Sequence, residues 1–228
     1  MQKPSYCSYV STLPKDNLHR IYHDTAYGFP IRSDDELFER LVLEINQAGL
    51  SWDTVLKKQA NFRKAYSNFS VKKVAGYGAK DVKRLLSDAG IIRNRLKVEA
   101  AIHNARVIVK LQKEYGSFKK WIETEHTKGK AKEEWVKVFK KTFRFTGGEI
   151  VNEFLQSSGY LPSPHDADCP THAKVMKAKP AWYNTSMAKT KKMKMGPVQS
   201  AKINKTITRE NLERKNPPAL KPKNKRTK

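Results

Sequence analysis

Leu43-Glu44-Ile45-Asn46-Gln47-Ala48-Gly49-Leu50-Ser51-Trp52 reads as the end of one helix, a tight turn at Gly49 and the start of a second helix capped by Ser51. The stretch sets one carboxylate, Glu44, eight positions before one large aromatic, Trp52. A carboxylate beside a stacking face suits a flat, positively charged heterocycle, because the acid accepts hydrogen bonds and the ring face attracts cations. The bland reading of the same residues is a helix turn with an exposed Glu and a core Trp. The rest of the chain decides between them.

Working upstream, Ser33-Asp34-Asp35-Glu36 is a capping-box signature. The helix it opens carries Leu37, Phe38, Leu41, Val42 and Ile45 on one broad apolar face. Residues 1–31 contain Pro4, Pro14, Gly28 and Pro30 and are expected to be irregular, packed through their many aromatics. Downstream, Trp52, Val55, Leu56, Phe62, Tyr66 and Phe69 keep helical spacing. A short piece over 71–75 follows, then a helix over 81–88, a turn at Ala89-Gly90-Ile91-Ile92-Arg93-Asn94 and a long helix from 95 to about 113. Short helices are predicted around Phe118 and Trp121, over 133–141, and over 149–157. No period-2 strand pattern and no repeat is found, so the fold class is all-α.

The chain has 228 residues, with 46 Lys and Arg against 22 Asp and Glu and a net charge of +24. The charge is uneven: residues 170–228 hold 17 Lys and Arg against 2 acids. This divides the chain into a folded domain, 1–184, and a basic tail, 185–228, whose composition predicts disorder. Trp182-Tyr183 is expected to dock on the domain. Clustered positive charge calls for a polyanion, nucleic acid first. A membrane surface is a poorer partner, because the tail has no apolar face to insert. No apolar run approaches membrane-spanning length and no signal-peptide core is visible, so an intracellular location is expected.

Two further sites can be read from residue types. Cys7, His23, His165 and Cys169 form a Cys₂His₂ set of the closed, structural zinc type, which would staple two irregular termini. Spacing leaves His19 and His172 open as rival ligands, and two free thiols with surface histidines as the plain alternative. The hairpin within 81–113 has Gly90 at its turn and Arg93, Arg95 and Lys97 beside the start of the second helix, where exposed amides can hold a backbone phosphate. An ordinary αα-hairpin with a basic solvated face fits the same residues.

Taken together these pieces resemble the 3-methyladenine DNA glycosylase I (TAG) family. The resemblance is carried by Cys7 with Tyr9-Val10, by Tyr22-His23-Asp24 before Gly28-Phe29-Pro30, and by Leu43-Glu44 with Gln47-Ala48-Gly49-Leu50-Ser51-Trp52. It continues through Thr54-Val55-Leu56-Lys57-Lys58, Asp88-Ala89-Gly90-Ile91-Ile92-Arg93-Asn94-Arg95, Asn104-Ala105, Phe143-Arg144-Phe145 and the His165/Cys169 pair. The resemblance implies a helix-hairpin-helix DNA glycosylase fold whose termini are joined by structural zinc on Cys7, His23, His165 and Cys169. It implies hydrolysis of the N-glycosidic bond of 3-methyladenine in alkylated double-stranded DNA by a monomeric enzyme without lyase activity. That enzyme would sit in the cytoplasm with the nucleoid, or in a eukaryotic nucleus. The pocket carboxylate falls on Glu44 and the stacking rings on Trp52 and Tyr22. Gly49 and Leu50 fall on the turn that approaches the gap left by the flipped nucleotide. Tyr9 and Tyr27 stand where the family commonly has Trp, and keep a base-facing aromatic ring. Gly148, Glu149, Val151 and Asn152 depart from the family's usual Thr and Tyr, which puts the far wall of the pocket, and lesion range, in question. The rivals are a non-catalytic or altered-lesion DNA-binding protein on the same fold, and a zinc hydrolase; a closed Cys₂His₂ set leaves no open position for the latter.

Overall fold

A computed structural model describes residues 5–183, apart from 128 and 163. The basic segment 185–228 lies outside the described residues. Every regular element among the described residues is helical. In order they are α1 (Tyr6–Ser11), α2 (Leu18–Thr25), α3 (Asp34–Gln47), α4 (Trp52–Ala65), a 3₁₀ turn (Ser67–Phe69), α5 (Val71–Ala75), α6 (Ala79–Ser87), α7 (Arg95–Tyr115), α8 (Phe118–His126), α9 (Lys132–Thr142), α10 (Gly148–Ser157) and α11 (Pro170–Lys177).

The centre is α3. Its stripe of Leu37, Phe38, Leu41, Val42 and Ile45 is fully buried, and α4, α5, α7, α8 and α10 pack around it. Ser33 caps it through the Glu36 amide, as its capping signature predicts. Asp34, in its first turn, does a second job. Its carboxylate accepts the Phe118 and Lys119 amides at 2.8 and 3.0 Å, satisfying the free N–H groups that open α8. One carboxylate thereby ties the starts of two helices. A second hub is aromatic: Phe118, Trp121, Phe139, Phe143 and Phe154 join α8, α9 and α10 with ring centroids 5.4–5.9 Å apart in adjoining pairs.

Between α3 and α4 the chain makes the turn on which the site depends. Ala48 (φ −52°, ψ 116°) and Gly49 (φ +79°) give a type II turn, closed by the Leu50 amide on the Gln47 carbonyl at 2.7 Å. Gly49 supplies the positive φ that a side chain would resist. Leu50 is left exposed at the tip, and Ser51 caps α4 through the Thr54 amide.

Three sequence expectations are corrected. Residues 1–31 are not irregular throughout, since α1 and α2 lie within them, capped by Ser5 and Asn17. The buried face of α2 is His19, Tyr22 and His23, while its aliphatic Leu18 and Ile21 are exposed, so the apolar period is inverted. Next, α4 stops at Ala65 and does not run through Phe69. Ser67, Asn68 and Phe69 turn left-handed, with φ of 52–54°. The turn swings Phe69 back to stack on Tyr66 at 5.5 Å and fill the core, which offsets a cost of about 1–2 kcal/mol per residue. Finally, α11 begins directly after Cys169, with Pro170 in its first turn and Val175 buried, where no helix was expected. Beyond it, the Trp182 amide reaches the Gly159 carbonyl at 3.4 Å and Ala181 packs on the core, so this stretch does dock.

Candidate active site and metal centre

The end of α3 and the start of α4 bring Glu44, Gln47 and Trp52 to one cavity of about 270 Å³. Tyr22 on α2, Tyr27 in the following loop, Tyr6 on α1 and Glu153 on α10 complete its lining. The rings surround it: Tyr22 and Trp52 lie 5.1 Å apart at 61°, Tyr22 and Tyr27 5.7 Å apart, and Tyr6 and Tyr27 5.5 Å apart at 79°. The indole nitrogen of Trp52 is buried without an acceptor among the described residues.

Glu44 is 4% exposed. Burial pushes its carboxyl up to about 8; Arg40 beside it and the Ser157 hydroxyl, at 3.4 Å, pull down, and Glu153 adds to the rise. Arg40 is buried as well. Its guanidinium lies 5.0 Å from the Tyr22 ring centre and donates to the Tyr22 hydroxyl and the Ser157 carbonyl, each at 3.0 Å. Glu153 accepts from the Tyr27 hydroxyl at 3.3 Å, and burial raises its carboxyl too. The phenols of Tyr6, Tyr22 and Tyr27 are held protonated by burial, well above their usual range. The cavity thus pairs two acids reluctant to ionise with a cage of neutral rings. A cationic guest would pull Glu44 back to its charged form, because an opposite charge inside a buried site favours ionisation.

Glu44 and Trp52, paired by the reading of their turn, line this cavity, as do Tyr22 and Tyr27, which only the family resemblance had assigned to a pocket. Tyr9 is not among its lining residues. It is 44% exposed on the outer side of α1, with its ring against Tyr6 and His19, and Tyr6 takes the inward place. Tyr6, Gln47, Glu153 and Arg40 were not anticipated. Only Arg40 carried a signal: an Arg four positions before Glu44, set between Leu37 and Leu41 on a face that must be buried.

Cys7, His23, His165 and Cys169 also meet. Their donor atoms all lie within 4.8 Å of one another, and they could hold a metal ion. His165 Nδ1 is 3.0 Å from His23 Nε2; Cys7 Sγ is 3.3 Å from His23 Nε2 and 3.7 Å from His165 Nδ1; Cys169 Sγ is 3.7 and 4.0 Å from the same two nitrogens. The other imidazole nitrogens are engaged: His23 Nδ1 with Asp24 at 2.7 Å, and His165 Nε2 with the Tyr27 carbonyl at 2.8 Å. The rival histidines are elsewhere, His19 near Tyr6 and Asp53, and His172 outside the quartet.

The hairpin is α6, its turn and α7. Gly90 is needed there for close approach: a Cβ would meet Asp88 Oδ1 at 2.9 Å and Asn61 Cγ at 3.1 Å. Its amide donates to Asp88 at 2.7 Å. Arg93 and Arg95 are exposed beside the turn, as a phosphate grip requires. Lys97 is not, and its assignment as a phosphate contact is corrected. It is 5% exposed and its ammonium donates to the carbonyls of Asn46 and Ala48 at 3.0 and 2.6 Å. The side chain turns inward because the end of α3 offers two free carbonyls. Asn94 meanwhile takes the Lys97 amide at 3.1 Å, so that amide is not offered to a phosphate either.

A family model described as methyladenine glycosylase matches residues 12–172. The chain belongs to the methyladenine glycosylase family. It is 37% identical over 180 residues to DNA-3-methyladenine glycosylase 1 of Escherichia coli, covering 72% of this chain and 94% of that one. It is 36% identical over 166 residues to the DNA-3-methyladenine glycosylase of Haemophilus influenzae, covering 65% and 89%. Among solved structures, 3-methyladenine DNA glycosylase I from Staphylococcus aureus superposes with a TM-score of 0.63 at 32% identity, over 69% of this chain and 93% of that one. A structure of a variant 3-methyladenine DNA glycosylase I in complex with 3-methyladenine also has a TM-score of 0.63, at 31% identity. The family match spans α2 to the start of α11 and so includes the aromatic cavity apart from Tyr6, the turn at Gly49, the hairpin and three of the four clustered Cys and His residues.

Proposed function

We propose that this chain is a base-excision DNA glycosylase that hydrolyses the N-glycosidic bond of 3-methyladenine in alkylated double-stranded DNA. The observation that carries this reading is Glu44, buried among Tyr22, Trp52 and Tyr27 in a cavity of about 270 Å³. That size sits just below the roughly 300–1,000 Å³ of ordinary small-molecule sites and suits a single base.

An enzyme that acts on a base inside a duplex must first extrude it. Arg93 and Arg95 grip the backbone beside the hairpin, and Leu50 at the tip of the Gly49 turn enters the space the base leaves. The extruded base enters the cavity that Tyr22, Trp52 and Tyr27 line. Methylation at N3 makes it cationic, and its charge draws Glu44 into the ionised form that accepts its N–H groups. A neutral base gains no such pairing and leaves Glu44 protonated. Arg40 holds the Tyr22 ring and, through the Ser157 carbonyl, the helix end whose hydroxyl donates to Glu44. The cationic base is already a good leaving group, so the residues act by recognition and positioning.

Zinc on Cys7, His23, His165 and Cys169 fits the donor set. Zinc bonds of about 2.0–2.1 Å to nitrogen and 2.3 Å to sulfur give a tetrahedron with edges of about 3.3–3.8 Å; five of the six donor pairs lie at 3.0–4.0 Å, and the whole set within 4.8 Å, so the two thiolates would draw together on an ion. Each histidine has its remote nitrogen anchored, the usual support for a ligand. Bound there, the ion would hold the termini together and supply no reacting group.

The test is release of free base from methylated duplex DNA, separated by chromatography, with Glu44→Gln alongside. Wild type is expected to release 3-methyladenine, and Glu44→Gln to do so at least about 100-fold more slowly. Equal release by both would remove Glu44 from the mechanism. Tight duplex binding without release would favour a non-catalytic protein on this fold.

A further inference from the structure

Glu153 is the second acid of the aromatic cavity, and it also faces another space. An adjoining cavity of about 340 Å³ is lined by Glu44, Gln47 and Glu153 together with Ala48, Leu50, Ile150 and Glu149, whose own side chain is largely in solvent. The wall common to the two cavities is therefore Glu44, Gln47 and Glu153. One cavity is ringed by aromatics and the other runs out to the Gly49 turn. A flipped nucleotide stays tethered to the duplex through its sugar. With its base among the rings, its C1′ must lie on the side toward the turn. Glu153 borders that side.

The two acids are not equivalent. Glu44 is almost fully buried, beside Arg40 and under the Ser157 hydroxyl. Glu153 is half-buried and takes the Tyr27 hydroxyl on Oε2 at 3.3 Å. The first is set for a base that stays in the cavity, the second for a small molecule that comes and goes. We propose that Glu153 is a catalytic base, positioned to take the proton of the water that attacks C1′. The assignment rests on the glycosylase reading above. In the step, a lone pair of the water oxygen forms the bond to C1′. The C1′–N bond breaks with its electron pair passing to the base, which arrived cationic and leaves neutral. The water proton goes to the Glu153 carboxylate and then to solvent.

The charged and titratable groups around Glu153 are Tyr6 from α1, Tyr27 from the loop after α2, Glu44 from α3, Lys132 from α9 and Glu149 on its own helix. Burial and Glu149 raise its carboxyl, while the Tyr27 and Asn152 hydrogen bonds and Lys132 hold it back. It must be ionised to act, so the rate should fall as pH drops through its raised value.

The experiment uses the full chain as wild type, Glu153→Gln and Glu153→Asp. Single-turnover release of 3-methyladenine from methylated duplex is followed across acid to neutral pH, and binding to a duplex carrying an abasic-site analogue is measured in parallel. Glu153→Gln is expected to lose about 100-fold in rate, the low end for a general base, with duplex affinity unchanged and the acid limb of the pH profile reduced to the part that Glu44 contributes. Glu153→Asp, which keeps the carboxylate, is expected to recover part of the rate. Three results would overturn the role: a wild-type rate in Glu153→Gln, a rate loss matched by loss of binding, or an acid limb identical to wild type without the carboxylate. Failure of wild type itself to release base would overturn the glycosylase reading and this assignment with it, whereas release by wild type and Glu153→Gln alike overturns only this assignment.

Discussion

The proton on Glu44 links the pocket to the stability of the fold. In the unfolded chain a glutamate releases its proton near 4.5; in the cavity burial holds it to about 8. Between those values the folded state binds more protons than the unfolded one, so stability falls as pH rises through the window. Glu44→Gln removes the ionisable group and keeps the size and hydrogen-bonding capacity. The variant is therefore expected to match wild type at acid pH and to exceed it in alkaline solution by a few kcal/mol. Urea unfolding of both proteins on either side of the window measures this. A variant whose stability falls with pH as steeply as wild type would mean the proton is held by another group. The residue most useful to function is then the one the empty fold would rather lose, a familiar balance at binding sites.

At the scale of elements, Lys97 joins two pieces that the proposed reaction brings to DNA together. It stands in the first turn of α7, the hairpin's second helix, and reaches into the carbonyls that end α3. Lys97→Met keeps the buried stem and removes the ammonium, leaving the Asn46 and Ala48 carbonyls without this donor. A loss of about 1–3 kcal/mol in stability is expected. Hydrogen exchange at the Leu50 amide, which closes the turn, should accelerate relative to the core of α3. Unchanged protection at Leu50 would show that Gly49 and Ser51 hold the turn unaided. Lys97 also marks where reading the sequence stops working. The helices 34–47, 52–65 and 95–115 were legible because their apolar stripes and caps are local signals. A lysine beside Arg93 and Arg95 looks like one more surface cation, and only tertiary packing reveals the two carbonyls that draw it inward. The same holds for α2, whose buried face is a tyrosine and two histidines, so hydrophobic periodicity had nothing to detect. Glu44 and Trp52 were legible because one turn carries both; Tyr6 and Glu153 lie on distant helices and no spacing ties them to the pocket.

Across the whole molecule, the Cys and His quartet joins the two ends of the domain and sits next to the pocket. Cys7 lies on α1 and His23 on α2, while His165 and Cys169 come from the far end of the domain, just before α11. The link to the pocket is short, for His165 Nε2 meets the carbonyl of Tyr27, whose ring lines the cavity and whose hydroxyl donates to Glu153. Burial lowers the proton affinity of His165, so the imidazole is neutral and ready to ligate at ordinary pH. Burial also pushes the Cys7 thiol up to about 12, so without a cation the thiol stays protonated and the quartet contributes little. A bound ion would replace that proton and cross-link α1 and α2 to the segment before α11; structural zinc sites can contribute about 10–16 kcal/mol in this way. Stripping metal from the purified protein with a strong chelator is therefore expected to lower the unfolding midpoint by more than about 10 °C. The loss should begin at the ends of the domain. Exchange protection should fall in α1, α2 and α11 while α3, packed within the main core, keeps its own. Tyr27 would be released along with His165, so affinity for free 3-methyladenine should drop even though no ligand of the quartet touches the base. Restoring zinc should return both properties together. A protein purified with no metal, or one whose midpoint and base affinity ignore the chelator, would show that hydrogen bonds among these four side chains already suffice to hold the termini against the pocket.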